Sequence, residues 1–229
     1  MNNLLSFEKI IGVKFDNKDI LQQAFVHRSY MNENPDFHLK DNERFEFLGD
    51  AVLEMVVTEY IYQNYPNPEG DLTNWRSALV NAKMLSKIAS RLKMNDYMLL
   101  SRGESKDTGR ARKYILANAI EALIGAIYLD QGYKIASEFI EKEIIKELKN
   151  IIKQKLYQDP KSRFQELAQD KEGITPSYKV IKEWGLDHAK NFIVGVYLDK
   201  KLIAQGKGIS KQEAQEKAAE VALEKKEWS

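Results

Sequence analysis

The chain has 229 residues, 43% hydrophobic and 30% charged, with a formal net charge of +1 at pH 7. These values predict a globular protein with room for two modest domains, and the near-zero charge does not by itself indicate a polyanionic partner. The chain contains no cysteine, no apolar run of about 18 residues and no signal-peptide pattern at its start. Disulfides, thiolate metal sites and a membrane partner are therefore excluded, and a cytoplasmic location is expected.

Residues 4–150 are predicted to form an all-α domain, because apolar residues recur there every three or four positions. Asp16 or Asn17 would cap the second helix. Residues 101–113 are polar and predict a loop. Residues 138–158 predict a charged helix that stops before Asp159-Pro160, since proline disfavours helical geometry in the residue preceding it. The candidate helices are LLSFEKIIGV, NKDILQQAFVH, RFEFLGDAVLEMVVTEYIY, LTNWRSALVNAKMLSKIASRL and YILANAIEALIGAIYLD.

The composition changes after this helix, so residues 151–158 are predicted to be a linker and 159–228 a second domain. A short helix, KSRFQELAQ, precedes three segments that alternate like strands: SYKVIKE, NFIVGVYLD and KLIAQGKGI. A final helix follows, with Ala214, Ala218 and Ala222 at four-residue spacing. The predicted fold class is therefore mixed, α plus α/β, with an all-α domain followed by a small αβββα domain whose helices pack on one antiparallel sheet.

Acidic residues on two otherwise apolar helices are the first candidate site. Glu43, Glu46 and Asp50 fall along one face of a helix, where like charges cost a few tenths of a kcal/mol each. On the last long helix, Asn118 and Glu121 are also neighbours, and an isolated carboxylate in such apolar surroundings is costly. If the two helices meet, their oxygen ligands suit Mg²⁺ or Mn²⁺.

Two other interpretations of these acidic residues stay open on spacing alone. The acidic stripe can be a solvated helix face, and a buried glutamate can be paired with an arginine. Arg28, Arg44 and Arg76 are available for such pairs.

Several segments resemble bacterial ribonuclease III, the double-stranded-RNA endonuclease, and they follow the family's order along nearly the whole chain. Val26 stands where the family's segment has threonine. The resemblance implies a helical endonuclease domain followed by a double-stranded-RNA-binding domain. The segments are QAFVHRSY, NERFEFLGDAVL, LVNAKMLSKIA, the RGE…GR loop, ILANAIEALIGAIYLDQG and the C-terminal αβββα region.

The resemblance assigns roles to the acidic residues. Asp50 and Glu121 match catalytic residues, and both, with Glu46 and Asn118, match the metal-ligand positions. Glu43 matches a secondary acidic residue. Asn118 stands where the family has aspartate; its carbonyl oxygen can still ligate a metal, although one negative charge is lost.

The resemblance also implies a reaction and partners. Mg²⁺, with Mn²⁺ able to substitute, would activate water to cleave double-stranded RNA to 5′-phosphate and 3′-hydroxyl ends, in processing such as ribosomal RNA maturation. No small-molecule cofactor is expected. Family members act as homodimers, and Phe47 would anchor in the partner subunit. The alternative is that Phe47 belongs to its own subunit's core.

In the second domain, the resemblance predicts duplex contacts from both helices and one loop. The stretch from Lys211 to Gln215 carries fewer lysines than the family often has, which predicts weaker phosphate binding. Gln165 and Glu166 can also be ordinary helix-surface residues, Lys217 can be a solvated lysine, and His188 can cap a turn. The predicted RNA-binding residues are Gln165, Glu166, His188, Ser210, Lys211 and Lys217.

Three functional hypotheses follow. The first is a Mg²⁺-dependent homodimeric endonuclease acting on duplex RNA. The second is a catalytically impaired double-stranded-RNA-binding protein, disabled by Asn118. The third is an unrelated helical scaffold with an αβββα tail. Retention of Glu46, Asp50 and Glu121 favours the first over the second.

Overall fold

The computed structural model describes residues 4–106, 108–185 and 190–228. Contacts divide the chain into two compact units, one ending at Lys153 and the other beginning at Gln154. None of the helices in these described ranges is long and apolar enough to cross a membrane. The helices of the first unit are α1 Leu4–Ile11, α2 Lys18–Gln23, α3 Arg28–Glu33, α4 Glu43–Asn64, α5 Glu69–Val80, α6 Ala82–Arg91, α7 Arg102–Lys106, α8 Arg110–Glu143 and α9 Leu148–Lys153, with 3₁₀ turns at Met94–Asp96 and Ile145–Glu147.

Helices α4 and α8 form the centre of the first unit and approach each other at two glycines. A Cβ atom on Gly49 would lie 1.7 Å from the carbonyl oxygen of Glu121. A Cβ atom on Gly125 would lie 2.2 Å from the carbonyl oxygen of Phe45. Only glycine fits this contact, so backbone packs on backbone here. The first turns of α4 are therefore held against the middle of α8.

The prediction of one continuous helix over LTNWRSALVNAKMLSKIASRL is wrong, because the helix is interrupted at Asn81 and two helices, α5 and α6, form instead. That residue is extended, with φ −72° and ψ 155°, and its side chain accepts a hydrogen bond of 2.9 Å from the backbone nitrogen of Met84. Asparagine is favoured at such N-cap positions because it satisfies a free backbone donor. Asn17 caps α2 in the same way, accepting from Asp19 at 2.9 Å, which confirms one of the two predicted caps.

Two other predictions for this unit are wrong in part. The expected loop over 101–113 contains α7, and α8 already begins at Arg110. The expected helix over 138–158 is interrupted: α8 ends at Glu143, and α9 ends at Lys153. The division between the two units therefore falls inside the segment 151–158 that the sequence predicts as a linker, and α9 occupies its first residues.

The second unit has the predicted αβββα order and a three-stranded antiparallel sheet whose strands lie side by side in chain order. Asp159 caps its first helix by accepting a hydrogen bond of 2.8 Å from the backbone nitrogen of Ser162. Both helices pack on one face of the sheet around Phe164, Val196 and Ala218, all fully buried. The elements are α10 Pro160–Glu172, β1 Ser177–Trp184, β2 Asn191–Leu198, β3 Lys201–Gly208 and α11 Lys211–Lys225.

Candidate active site

The start of α4 is fixed to the segment that precedes α3. Asn42 is buried; its side chain donates to the carbonyl oxygen of Ala24 at 3.0 Å, and its backbone nitrogen donates to that of Val26 at 2.8 Å. These hydrogen bonds position the first turn of α4, which carries Glu43 and Glu46.

The crossing of α4 and α8 brings the predicted oxygen ligands of the two helices together. The side-chain amide of Asn118 is close enough to hydrogen-bond the carboxylate of Glu46. Glu121, on the next turn of α8, lies within electrostatic range of both Glu46 and Asp50. Glu46 and Glu121 are half-buried, whereas Asp50 and Asn118 are exposed. The cluster therefore lies partly between the two helices and is accessible to solvent on one side.

The carboxylates of this cluster destabilise one another's charge. The pKa of Glu121 is raised from 4.5 to about 7, first by burial and then by the negative charges of Asp50 and Glu46. Burial also raises the pKa of Glu46, against the hydrogen bond from Asn118, and Glu43 and Asp50 add to the rise. A bound divalent cation would reverse these effects, because an opposite charge favours the ionised form.

The donor set fits a hydrated divalent ion. Within the described ranges, no three Asp, Glu or His side chains already lie close enough together to enclose an ion. Mg²⁺ does not need such a cage, since it usually keeps several waters and binds one or two carboxylates directly. An oxygen-only cluster with elevated pKa values and one open side matches that requirement.

Arginine pairs occur only at the two ends of the acidic stripe, in the part of the chain that the structure describes. Arg28 lies 3.5 Å from Glu43, and Arg76 lies 3.1 Å from Glu54. The interpretation of the stripe as arginine-paired therefore holds at its ends but not at its centre. Glu54 was missed by the sequence analysis, although it follows Asp50 by one helical turn and also raises the pKa of Glu121.

A cleft of about 380 Å³ adjoins the cluster and has cationic groups near it. Tyr114 lines it one turn before Asn118, and the guanidinium of Arg110 lies 5.5 Å from the Tyr114 ring centre. The sequence analysis did not assign a role to Tyr114, although its four-residue spacing from Asn118 places both on one face of α8. The lining residues are His27, Arg28, Asn42, Glu43, Glu46, Tyr114, Ile115 and Asn118.

The outer face of α4 is apolar and uncovered. Phe47 is 82% exposed, Met55 61% and Tyr62 78%. The alternative that Phe47 belongs to the core of its own subunit is therefore wrong. These side chains lie on one side of the helix, where they form a surface suited to a protein partner.

Of the predicted RNA-binding residues, two lie on α10, three lie at the N-cap or within the first two turns of α11, and His188 is outside the described residues. Gln165 and Glu166 are exposed on α10, and Lys211 and Lys217 are exposed on α11. The Lys217 ammonium is also paired with a neighbouring glutamate.

Two contacts organise the start of α11. Ser210 caps it, accepting a hydrogen bond of 3.1 Å from the backbone nitrogen of Glu213. A hydrogen bond of 2.9 Å from Lys161 to Gln215 joins the first turns of the two helices. These contacts fix the start of α11, where Lys211 is exposed to solvent.

Both units match families of known proteins. A family model described as Ribonuclease-III-like matches residues 17–148, and one described as Double-stranded RNA binding motif matches residues 160–226. Ribonuclease 3 of Borreliella afzelii is 45% identical over 221 residues, covering 96% of this chain and 90% of the relative. Ribonuclease 3 of Carboxydothermus hydrogenoformans is 43% identical over 223 residues, covering 97% and 95%.

Among solved structures, the nuclease domain of ribonuclease III from Campylobacter jejuni is 39% identical with a TM-score of 0.56. The match covers 64% of this chain and 96% of that one. These findings agree in fold, domain order and sequence, and they confirm the predicted resemblance. The chain belongs to the ribonuclease III family of endoribonucleases.

Proposed function

We propose that this chain is a divalent-metal-dependent endoribonuclease that cleaves double-stranded RNA to 5′-phosphate and 3′-hydroxyl ends. The observation that carries the proposal is the convergence of Glu46, Asp50 and Glu121 at one helix crossing, without an arginine partner among the described residues. The relatives named Ribonuclease 3 and the match to a double-stranded-RNA-binding motif support the reaction and the substrate class.

Glu46, Asp50, Asn118 and Glu121 would hold Mg²⁺, for which Mn²⁺ can substitute. When bound, the ion supplies an activated water and stabilises the charge on the leaving oxygen. We assign the catalytic roles to Asp50 and Glu121 because these two residues match the family's catalytic positions. Asn118 orients Glu46 through its amide donor, and the carbonyl oxygen of the same amide serves as the ligand.

The RNA strand would approach through the cleft beside the cluster. Arg28 and Arg110 provide positive charge there for its phosphates. The second unit would hold the duplex through Gln165, Glu166, His188, Ser210, Lys211 and Lys217, with the dipole of α11 favouring phosphate at its start.

The active form would be a homodimer joined through the exposed face of α4, with Phe47 inserted into the partner. The exposure of three large apolar side chains on this face, which a partner would bury, supports this arrangement. The protein would act on cytoplasmic RNA, including ribosomal RNA precursors.

The test is cleavage of a long RNA duplex in Mg²⁺ and in Mn²⁺ by the parent chain, Asn118→Asp and Glu121→Gln. We expect the parent to cut, Asn118→Asp to cut at lower Mg²⁺ concentration because a charge is restored, and Glu121→Gln to be inactive. Cutting only by Asn118→Asp would show that the parent is a duplex-binding protein with a disabled site. Undiminished cutting by Glu121→Gln would refute the proposed site.

A further inference from the structure

The sheet of the second unit has a second face that neither helix covers. In β2, Val194 and Val196 point into the core, so the alternate residues Ile193, Gly195 and Tyr197 face outward. The strand register carries this alternation to both neighbours. On β1, Lys179 is opposite Gly195 and Lys182 is opposite Ile193. On β3, Leu202 is opposite Tyr197 and Lys207 is opposite Ile193.

The centre of this outward face is apolar. Ile181 is 45% exposed, Leu202 40% and Trp184 36%. A Cβ atom on Gly195 would meet the Cδ1 atoms of Ile181 and Leu202 at 2.8 Å each, so these side chains close over the glycine. The result is a continuous apolar patch across all three strands, which is unusual for a sheet face left in water.

The charged side chains among the outward residues of the three strands are all lysines. The ammonium of Lys179 lies 5.4 Å from the Tyr197 ring centre. Lys182 and Lys207 lie 5.7 Å and 5.3 Å from the Trp184 ring centre. The apolar patch is therefore bordered by positive charge, and its complement is a surface that is both apolar and acidic.

We propose that this outward face, with Ile181, Trp184 and Leu202 at its centre and Lys179, Lys182 and Lys207 at its border, docks an acidic polypeptide segment that carries apolar side chains. The apolar side chains of the partner would cover the patch, and its carboxylates would pair with the lysines. The ion pairs would fix the orientation of the partner and raise its rate of association, while the apolar contacts would bury the patch.

Two observations favour a polypeptide over single-stranded RNA. Base stacking needs open aromatic ring faces, whereas the Trp184 and Tyr197 rings already carry lysine ammonium groups. Ile181 and Leu202, which close over Gly195, are aliphatic, and aliphatic side chains do not provide stacking platforms. Addition of a strand at the β1 edge is disfavoured by the irregularity in register between Val180 and Lys182.

This surface is separate from the proposed duplex-binding residues of the two helices. Those on α10 and α11 belong to helices that pack on the opposite face of the sheet. A partner on the outward face would therefore leave the duplex contacts of these two helices accessible.

The test is a selection from a displayed library of random peptides, about a dozen residues long, on the immobilised full chain saturated with an RNA duplex. Affinities of the enriched peptides are then measured for the parent, for Leu202→Ser and for the double variant Lys182→Glu/Lys207→Glu. The double variant Lys87→Glu/Lys153→Glu, at two exposed positions in the first unit, is the charge-matched control. Duplex binding by each variant checks that the second unit remains folded.

We expect enriched peptides to combine Asp or Glu with large apolar residues. Their affinity should fall at least about tenfold in Leu202→Ser and in the double variant, and not in the control. Enriched peptides that bind all variants equally, or the absence of any enrichment, would overturn the proposal. Two other results would overturn the proposal if no peptide loses affinity in these variants. One is binding of oligouridine RNA that the variants lose, and the other is self-association in ultracentrifugation that the variants lose.

Discussion

Replacing Glu121 with glutamine should stabilise the metal-free protein at alkaline pH. The folded chain raises the pKa of this carboxyl from 4.5 to about 7, so the folded state binds the proton more tightly than the unfolded state. The resulting stability is fully present below pH 4.5 and is lost as the pH rises through about 7. At pH 8 the ionised carboxylate therefore opposes folding.

The full shift corresponds to about 3 kcal/mol. Because Glu121 is only half-buried, solvent screening reduces the expected effect to about 1–2 kcal/mol. For a unit of this size, that difference raises Tm by about 3–6 °C. At pH 4, where the parent carboxyl is neutral, Glu121→Gln and the parent should unfold at nearly the same temperature.

The assay is thermal unfolding followed by circular dichroism at pH 4 and pH 8, with chelator or with Mg²⁺. Mg²⁺ should raise the Tm of the parent at pH 8 and should raise that of Glu121→Gln much less, because a ligand is missing. Glu138→Gln, at an exposed position of α8 beyond its kink at Gly132, is the control. A metal-free Glu121→Gln that is no more stable than the parent at pH 8 would refute the electrostatic reasoning.

Three further substitutions test the frame around the site. Gly49→Ala should lower the free energy of unfolding in urea by more than about 3 kcal/mol, because its Cβ atom would lie 1.7 Å from a carbonyl oxygen of α8. The control Gly70→Ala, whose Cβ atom would have nothing within 4 Å, should leave the free energy of unfolding nearly unchanged. Phe47→Ala should leave urea unfolding of the monomer within about 0.5 kcal/mol but shift sedimentation from dimer toward monomer; an unchanged dimer would exclude this face as the interface. Asn42→Ala should cost about 1–3 kcal/mol by chemical denaturation, because a buried carbonyl loses its donor; a neutral result would mean that water replaces the amide.

The convergence of acidic residues was accessible from the sequence because helical spacing alone aligns Glu46 with Asp50 and Asn118 with Glu121. Spacing does not say which two helices meet, and for that step the family resemblance was needed. The break at Asn81 was missed because the apolar pattern continues in phase on both sides of it. The arginine pairs and Tyr114 are brought to the site by tertiary packing. Residue spacing along the chain gives only a weak indication of such contacts.

The glycine contact between α4 and α8 separates two kinds of constraint on the sequence. Because backbone meets backbone at Gly49 and Gly125, the spacing of the carboxylates does not depend on which apolar side chains fill the rest of the core. Exchanges such as leucine for methionine in that core alter stability while leaving the ligand geometry in place. Over evolutionary time, the core of such an enzyme is free to drift in composition, whereas either glycine can change only if the site itself is rebuilt.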